Sequence, residues 1–228
     1  MEKTLGILGG MGPMATADLF KKIVSLTKAD CDNDHIRVYI DSNARIPDRT
    51  QAILYGGESP LPYMLESAKK LEAIGADCLI MPCNTAHYYY DELTKAVHIP
   101  FLHLIEEAAK CVPEGRHPGL LATSATAQTG LYARAVEKYG FELVVPDEEH
   151  QALCMDCIHQ VKAGQTPDRA VFGSIMQNLR DRGADIFIMG CTEIPLIFEW
   201  LDLKDDAIDA TEALAKAAIR FCGKEVRE

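Results

Sequence analysis

One frame occurs twice in this chain, and it limits the possible folds more than any other feature. The first copy is Gly75-Ala76-Asp77-Cys78-Leu79-Ile80-Met81-Pro82-Cys83-Asn84-Thr85, and the second is Gly183-Ala184-Asp185-Ile186-Phe187-Ile188-Met189-Gly190-Cys191-Thr192-Glu193. Each is a short apolar run that ends on a cysteine and passes into a helix-like segment. Such a run is a buried strand, and its cysteine stands at the carboxyl end, where open α/β sheets bind ligands. The opening strand repeats as well. With an offset of 113, Gly119 falls on Gly6, Thr129 on Thr16 and Tyr132 on Leu19, while the thiols are 108 positions apart. The chain therefore reads as two similar α/β units, each delivering one thiol.

Strand and helix patterns alternate along the chain, which implies parallel sheets with right-handed crossovers. Strands are expected at 4–9, 36–40, 99–103 and 141–145, with the opening strand of the second unit beginning at Pro118, besides the two thiol strands. Helices are expected from Pro13 to about Thr27, over 60–74, from Cys83 to about Val97, and over 104–111, 147–163, 167–182 and 209–222. Asp41 to Thr50 reads as a polar loop at a strand end, a place that often carries ligand contacts. Two such units would leave a cleft at the carboxyl edges of their sheets.

With a formal net charge of −11, nucleic acid is not an expected partner and a basic membrane surface is absent. An anionic substrate would need a locally basic pocket. Neither a leader pattern nor a membrane-length apolar stretch is present, so a cytoplasmic location is expected. The eight cysteines, irregularly spaced, read as reduced thiols.

Several patterns could carry chemistry. Gly10-x-Gly12-x-x-Ala15 after the first strand matches a dinucleotide fingerprint, with Asp41 later than its usual acid. This keeps a nucleotide-binding oxidoreductase as an alternative, although the second unit has Ala122-Thr123-Ser124 in place of the glycines. Cys154-Met155-Asp156-Cys157 lacks a second pair at zinc spacing and reads as helix residues. The paired strand-end thiols are the stronger signal. A helix start beside each would favour thiolate, and an unperturbed thiol titrates near pH ~8.5. Two acid/base groups in matched places suit moving a proton from one face of a carbon to the other.

The Gly9-Gly10-Met11-Gly12-Pro13 turn, the Ile46-Pro47-Asp48-Arg49 loop, Cys83-Asn84-Thr85-Ala86-His87 and Gly190-Cys191-Thr192-Glu193 together resemble the aspartate/glutamate racemase family. The resemblance spans essentially the whole chain. It implies cofactor-independent, two-base racemisation of an acidic amino acid between two pseudo-symmetric α/β domains, residues 1–102 and 103–208, with the closing helix 209–228 returning to the first. Cys83 would act on the D-face and Cys191 on the L-face. Asn84, Thr85 and Thr192 would hold the α-carboxylate, with Thr126 and Met11 lining the pocket. Arg49 and Lys162 would clamp the side-chain carboxylate, Arg49 through bidentate pairing. His87 and Glu193 stand four and two residues beyond their cysteines and could tune the thiols. Neither metal nor cofactor is expected, and the assembly expected is a homodimer. Hydantoin racemases and maleate isomerases, which also use paired thiols, remain alternatives, as does a non-catalytic binder of small ligands.

Overall fold

The computed structural model of the chain describes residues 2–227. They divide into two compact units. One runs to Glu107 and resumes at Thr211, and the other is Ala108–Ala210.

The first unit contains β1 (Leu5–Gly9), α1 (Pro13–Leu26), β2 (Val38–Ser42), α2 (Arg49–Tyr55), α3 (Leu61–Ala73), β3 (Cys78–Ile80) and α4 (Tyr90–Ala96). Its parallel sheet has the order β2-β1-β3. The chain leaves this unit within α5 (Leu104–Ala109). The second unit contains β4 (Pro118–Ala122), α6 (Ser124–Gln128), α7 (Leu131–Glu137), α8 (Glu148–Lys162), α9 (Arg169–Asp181), β5 (Ile186–Gly190), α10 (Ile194–Trp200) and β6 (Ala207–Asp209). Its sheet, also parallel, has the order β4-β5-β6. After it comes α11 (Ala210–Phe221). The chain end then lies on the first unit, where Arg227 N–H bonds Leu26 O at 2.7 Å and Lys28 N–H bonds Glu225 O at 2.9 Å. The stretch 103–107 also groups with the first unit, where Leu104 N–H bonds the His87 ring at 3.1 Å.

The repeated Gly-Ala-Asp acquires a physical reason. Gly75 and Gly183 have φ of +96° and +103°, a conformation that ends α3 and α9 without the backbone strain another residue would carry there. Ala76 and Ala184 are buried against glycines of the neighbouring strands. A Cβ on Gly6 would come within 3.0 Å of the Ala76 methyl, and one on Gly119 within 2.8 Å of the Ala184 methyl. Asp77 Oδ2 accepts from Thr4 N–H at 2.7 Å, and Asp185 Oδ1 from His117 N–H at 2.8 Å. Each triplet thus ends a helix, seats the thiol strand against its neighbour and pins the start of that neighbour.

Other expectations shift. Ile36–Ile40 becomes Val38–Ser42, because the register pairs Leu5 with Val38. The runs 99–103 and 141–145 are reduced to single bridges, Leu79 with Phe101 and Gly119 with Val144. Asp41 to Thr50 is a loop only in part. Its first two residues lie in β2, and Arg49 starts α2, capped by Asp48 Oδ1 accepting from Gln51 N–H at 2.8 Å and stopped by Gly56 at φ +67°. The helix expected after Cys83 is a 3₁₀ turn, Thr85–Tyr89, followed by α4. Asp209 ends a strand rather than opening the last helix.

Candidate active site

In the first unit, β3 ends at Ile80 and the chain tightens, with Cys83 N–H bonding Met81 O at 2.9 Å. This puts Cys83 at the carboxyl end of the sheet, packed in one apolar cluster with Met11 and Ile46. Three motifs distant in sequence therefore meet: the glycine turn, the Ile46–Arg49 loop and the thiol. Cys83, Asn84, Thr85 and Met11 are all buried.

Arg49, the first residue of α2, is 9% exposed. Its Nη1 donates to the carbonyls of Pro47 at 3.0 Å and Ile46 at 3.3 Å, and its buried Nε has no hydrogen-bond partner in the protein. A cation at a helix start opposes the helix dipole, and a buried, unmet N–H is costly. Both features fit a guanidinium kept for an anionic ligand.

His87 is buried and neutral. Leu104 N–H donates to its Nε2 at 3.1 Å, so Nε2 is the acceptor and Nδ1–H must donate to Cys83 O, 2.8 Å away. Burial drives its pKa down to about 3, helped by the neighbouring His103, whose ring centroid lies 4.7 Å away. His87 thus holds the backbone of the Cys83 loop. Both of its ring nitrogens are engaged by backbone groups.

The glycine turn is filled by the chain's own atoms. Gly10 N–H donates to Thr16 Oγ1 at 2.8 Å, and a Cβ on Gly10 would come within 2.3 Å of the Asn43 backbone. In a dinucleotide site a pyrophosphate uses that close approach and those amides. Here Asn43 and Thr16 use them, and the fingerprint is a packing motif.

In the second unit Cys191 directly follows β5, and Cys191-Thr192-Glu193 lead into α10. The Cys191 thiol donates to Glu193 Oε2 at 2.9 Å, and Thr192 Oγ1 donates to the same oxygen at 3.1 Å. Burial, and then the charge of Glu193, push the Cys191 pKa well up, with the Lys162 ammonium opposing them. The expectation that the helix start makes this thiol a thiolate is therefore not met. A seven-residue helix is outweighed by desolvation and an adjacent carboxylate. Lys162, on the exposed last turn of α8, acts on the thiol through its charge.

Thr126 is buried on α6, its Oγ1 2.9 Å from that of Thr123, and Thr123 caps that helix. Ala122 pairs with Gly190, which sets this threonine pair beside the Cys191 strand end. Sequence reasoning missed Tyr132 and Asp209 as neighbours. Tyr132 is fully buried, and a Cβ on Gly190 would lie 3.1 Å from its ring. Its phenol is held well above the ordinary tyrosine value by burial, with Cys191 and Asp209 adding to the shift. The visible signal was a phenol where the first copy has Leu19.

Of the remaining thiols, Cys154 and Cys157 are buried on α8 and raised by burial to about 12 and about 11, which makes them poorly reactive. Among the described residues no cluster of three or more His, Cys, Asp or Glu could hold a metal ion, and no helix is long and apolar enough to cross a membrane.

Comparison with known proteins gives concordant matches. The family model described as Asp/Glu/Hydantoin racemase matches residues 8–218. The broad specificity amino-acid racemase RacX of Bacillus subtilis is 29% identical over 227 residues, covering 94% of this chain and 96% of that protein. The structure of the Picrophilus torridus aspartate racemase superposes with a TM-score of 0.85 at 34% identity, covering 99% of this chain and 96% of the other. An aspartate racemase homologue from Pyrococcus horikoshii OT3 superposes with a TM-score of 0.76 at 25% identity, covering 98% and 100%.

Proposed function

From the premise that the chain belongs to the Asp/Glu/hydantoin racemase family, we propose that it interconverts the L- and D-forms of an acidic amino acid by two-base proton transfer between Cys83 and Cys191, with no cofactor. Aspartate is the proposed first substrate and glutamate a second. The observation carrying the reading is the repeated frame that follows one strand of each sheet with a buried cysteine, once at Cys83 and once at Cys191. The similarity to aspartate racemases supports the choice of aspartate.

In this reading Cys83 removes the proton from D-aspartate. The Cα–H bond breaks and an S–H bond forms on Cys83. The Cys191 S–H then breaks and its proton joins the opposite face of Cα, leaving L-aspartate and a Cys191 thiolate. The reverse reaction begins from that thiolate. Glu193, which accepts from the Cys191 thiol in the ligand-free protein, keeps the proton there until the carbanion takes it. Arg49 receives the distal carboxylate through its unmet Nε, with Lys162 adding charge, while Asn84, Thr85 and Thr192 position the α-carboxylate and Thr126 and Met11 line the pocket. A homodimer in the cytoplasm is the proposed setting.

The test uses deuterated water. With L-aspartate as substrate, Cys191 takes the proton and Cys83 delivers deuterium, so label enters the D-product well before it enters unreacted L-substrate. Cys83→Ala and Cys191→Ala should each abolish racemisation in both directions, since either hand needs both groups. Near-parental racemisation by either variant would overturn the two-base reading.

A further inference from the structure

We propose that Gln151 contacts the substrate, its side-chain carbonyl accepting a hydrogen bond from the α-ammonium group of the amino acid. The proposal rests on the racemase reading and supplies what that reading lacks, a group for the substrate's positive end.

Gln151 is the fourth residue of α8. Its Nε2 donates to the carbonyl of Ala122 at 2.9 Å. That bond identifies the two ends of the amide, because a carbonyl oxygen can receive only from the NH₂. The remaining atom, Oε1, is shut off from solvent and has no hydrogen-bond partner in the protein. Buried acceptors are almost always satisfied, so one left open points to a donor from outside the chain.

Its position fits a substrate contact. Ala122 ends β4 and pairs with Gly190, the residue before Cys191, and Thr123 follows it. One turn along α8, Cys154 Sγ reaches the same Ala122 carbonyl at 3.6 Å and packs in the same apolar cluster as Cys191. The open oxygen therefore belongs to the carboxyl end of the sheet that carries the thiol.

Its chemistry fits as well. The groups already assigned to the substrate, Arg49, Lys162, Asn84, Thr85 and Thr192, are in that reading given to its carboxylates. The carboxylate of Glu193 receives from Cys191 and Thr192. A protonated α-amino group makes the neighbouring Cα–H more acidic, so racemisation gains from an acceptor that holds it as ammonium. A neutral amide oxygen does this without adding a negative charge beside the carbanion.

The experiment compares D-aspartate with succinate, which keeps both carboxylates and lacks the ammonium group. In Gln151→Met, similar in size but without the amide carbonyl, affinity for D-aspartate should fall roughly ten- to a hundredfold, as expected for losing a hydrogen bond to a charged group. Inhibition by succinate should change by less than about threefold. An equal loss for both ligands would mean that Gln151 merely holds the Ala122 carbonyl, and would overturn the proposal. Should the variant fail to fold, a structure of the wild-type protein with D-aspartate decides instead. An ammonium nitrogen about 2.7–3.2 Å from Gln151 Oε1 supports the assignment, and an ammonium bound elsewhere overturns it. A wild-type protein inactive on every acidic amino acid would defeat the racemase reading itself, a result distinct from either.

Discussion

Glu193, two residues after Cys191, accepts a hydrogen bond from its thiol at 2.9 Å, whereas His87, four residues after Cys83, bonds the Cys83 backbone carbonyl at 2.8 Å. The repeat is therefore symmetric in its strands and asymmetric in its proton chemistry. One thiol has a carboxylate partner that keeps its proton, and the other has a neutral imidazole clip that shapes its loop.

That asymmetry predicts the behaviour of Glu193→Gln. Burial is the largest cause of the raised Cys191 pKa and the Glu193 charge the next, so removing the charge lowers the pKa without making it ordinary. Alkylation of Cys191 by iodoacetamide, followed site by site with mass spectrometry, should begin at a lower pH in Glu193→Gln than in the parent. An unchanged onset would mean that Glu193 sets geometry alone.

Arg49 is expected to decide between acidic and apolar side chains. Arg49→Ala should weaken aspartate binding roughly ten- to a hundredfold, the loss typical of a charge-assisted pair, while leaving alanine nearly unaffected. Arg49→Lys should not restore aspartate affinity, because an ammonium lacks the planar fork. Since Nη1 also ties the Ile46 and Pro47 carbonyls, melting curves of both variants belong beside the binding data. Equal weakening for aspartate and alanine would reduce Arg49 to a support for its loop.

His87 should impose an acid limit on stability. Its pKa is lowered from 6.5 in the unfolded reference to about 3 in the fold, chiefly by burial. The unfolded chain therefore binds a proton that the native protein refuses, and stability falls as pH drops through 6.5 towards 3. The full effect is on the order of a few kcal/mol, from the free energy carried by each pKa unit. His87→Asn should be less stable at pH 8, having lost a bridge between Cys83 and Leu104, yet lose less on going to pH 5. Urea midpoints for both proteins at the two pH values check this, and parallel losses would remove His87 as the titrating group.

The sequence by itself determined the two-unit α/β plan and the strand ends that carry the thiols. It could do so because Gly75 and Gly183, Ala76 and Ala184, and Asp77 and Asp185 act locally: a left-handed turn, a small contact and a clamp on the adjacent strand are each written in a few consecutive residues. Burial periodicity likewise carried most helices. The tertiary structure alone decided what each polar group touches. Glu193 stands two residues after Cys191 and His87 four after Cys83, and one meets a sulfur while the other meets a carbonyl. The chain also differs after each cysteine, running into a 3₁₀ turn after Cys83 and into α10 after Cys191. Arg49 was legible as a basic residue but not as the buried start of a helix, since Asp48 acts as a cap only once Gln51 turns its amide back. Tyr132, Asp209 and Gln151 come to the Cys191 strand end from three separate elements. A sequence records spacing along the chain, and neighbours of that kind exist only after the sheet has paired.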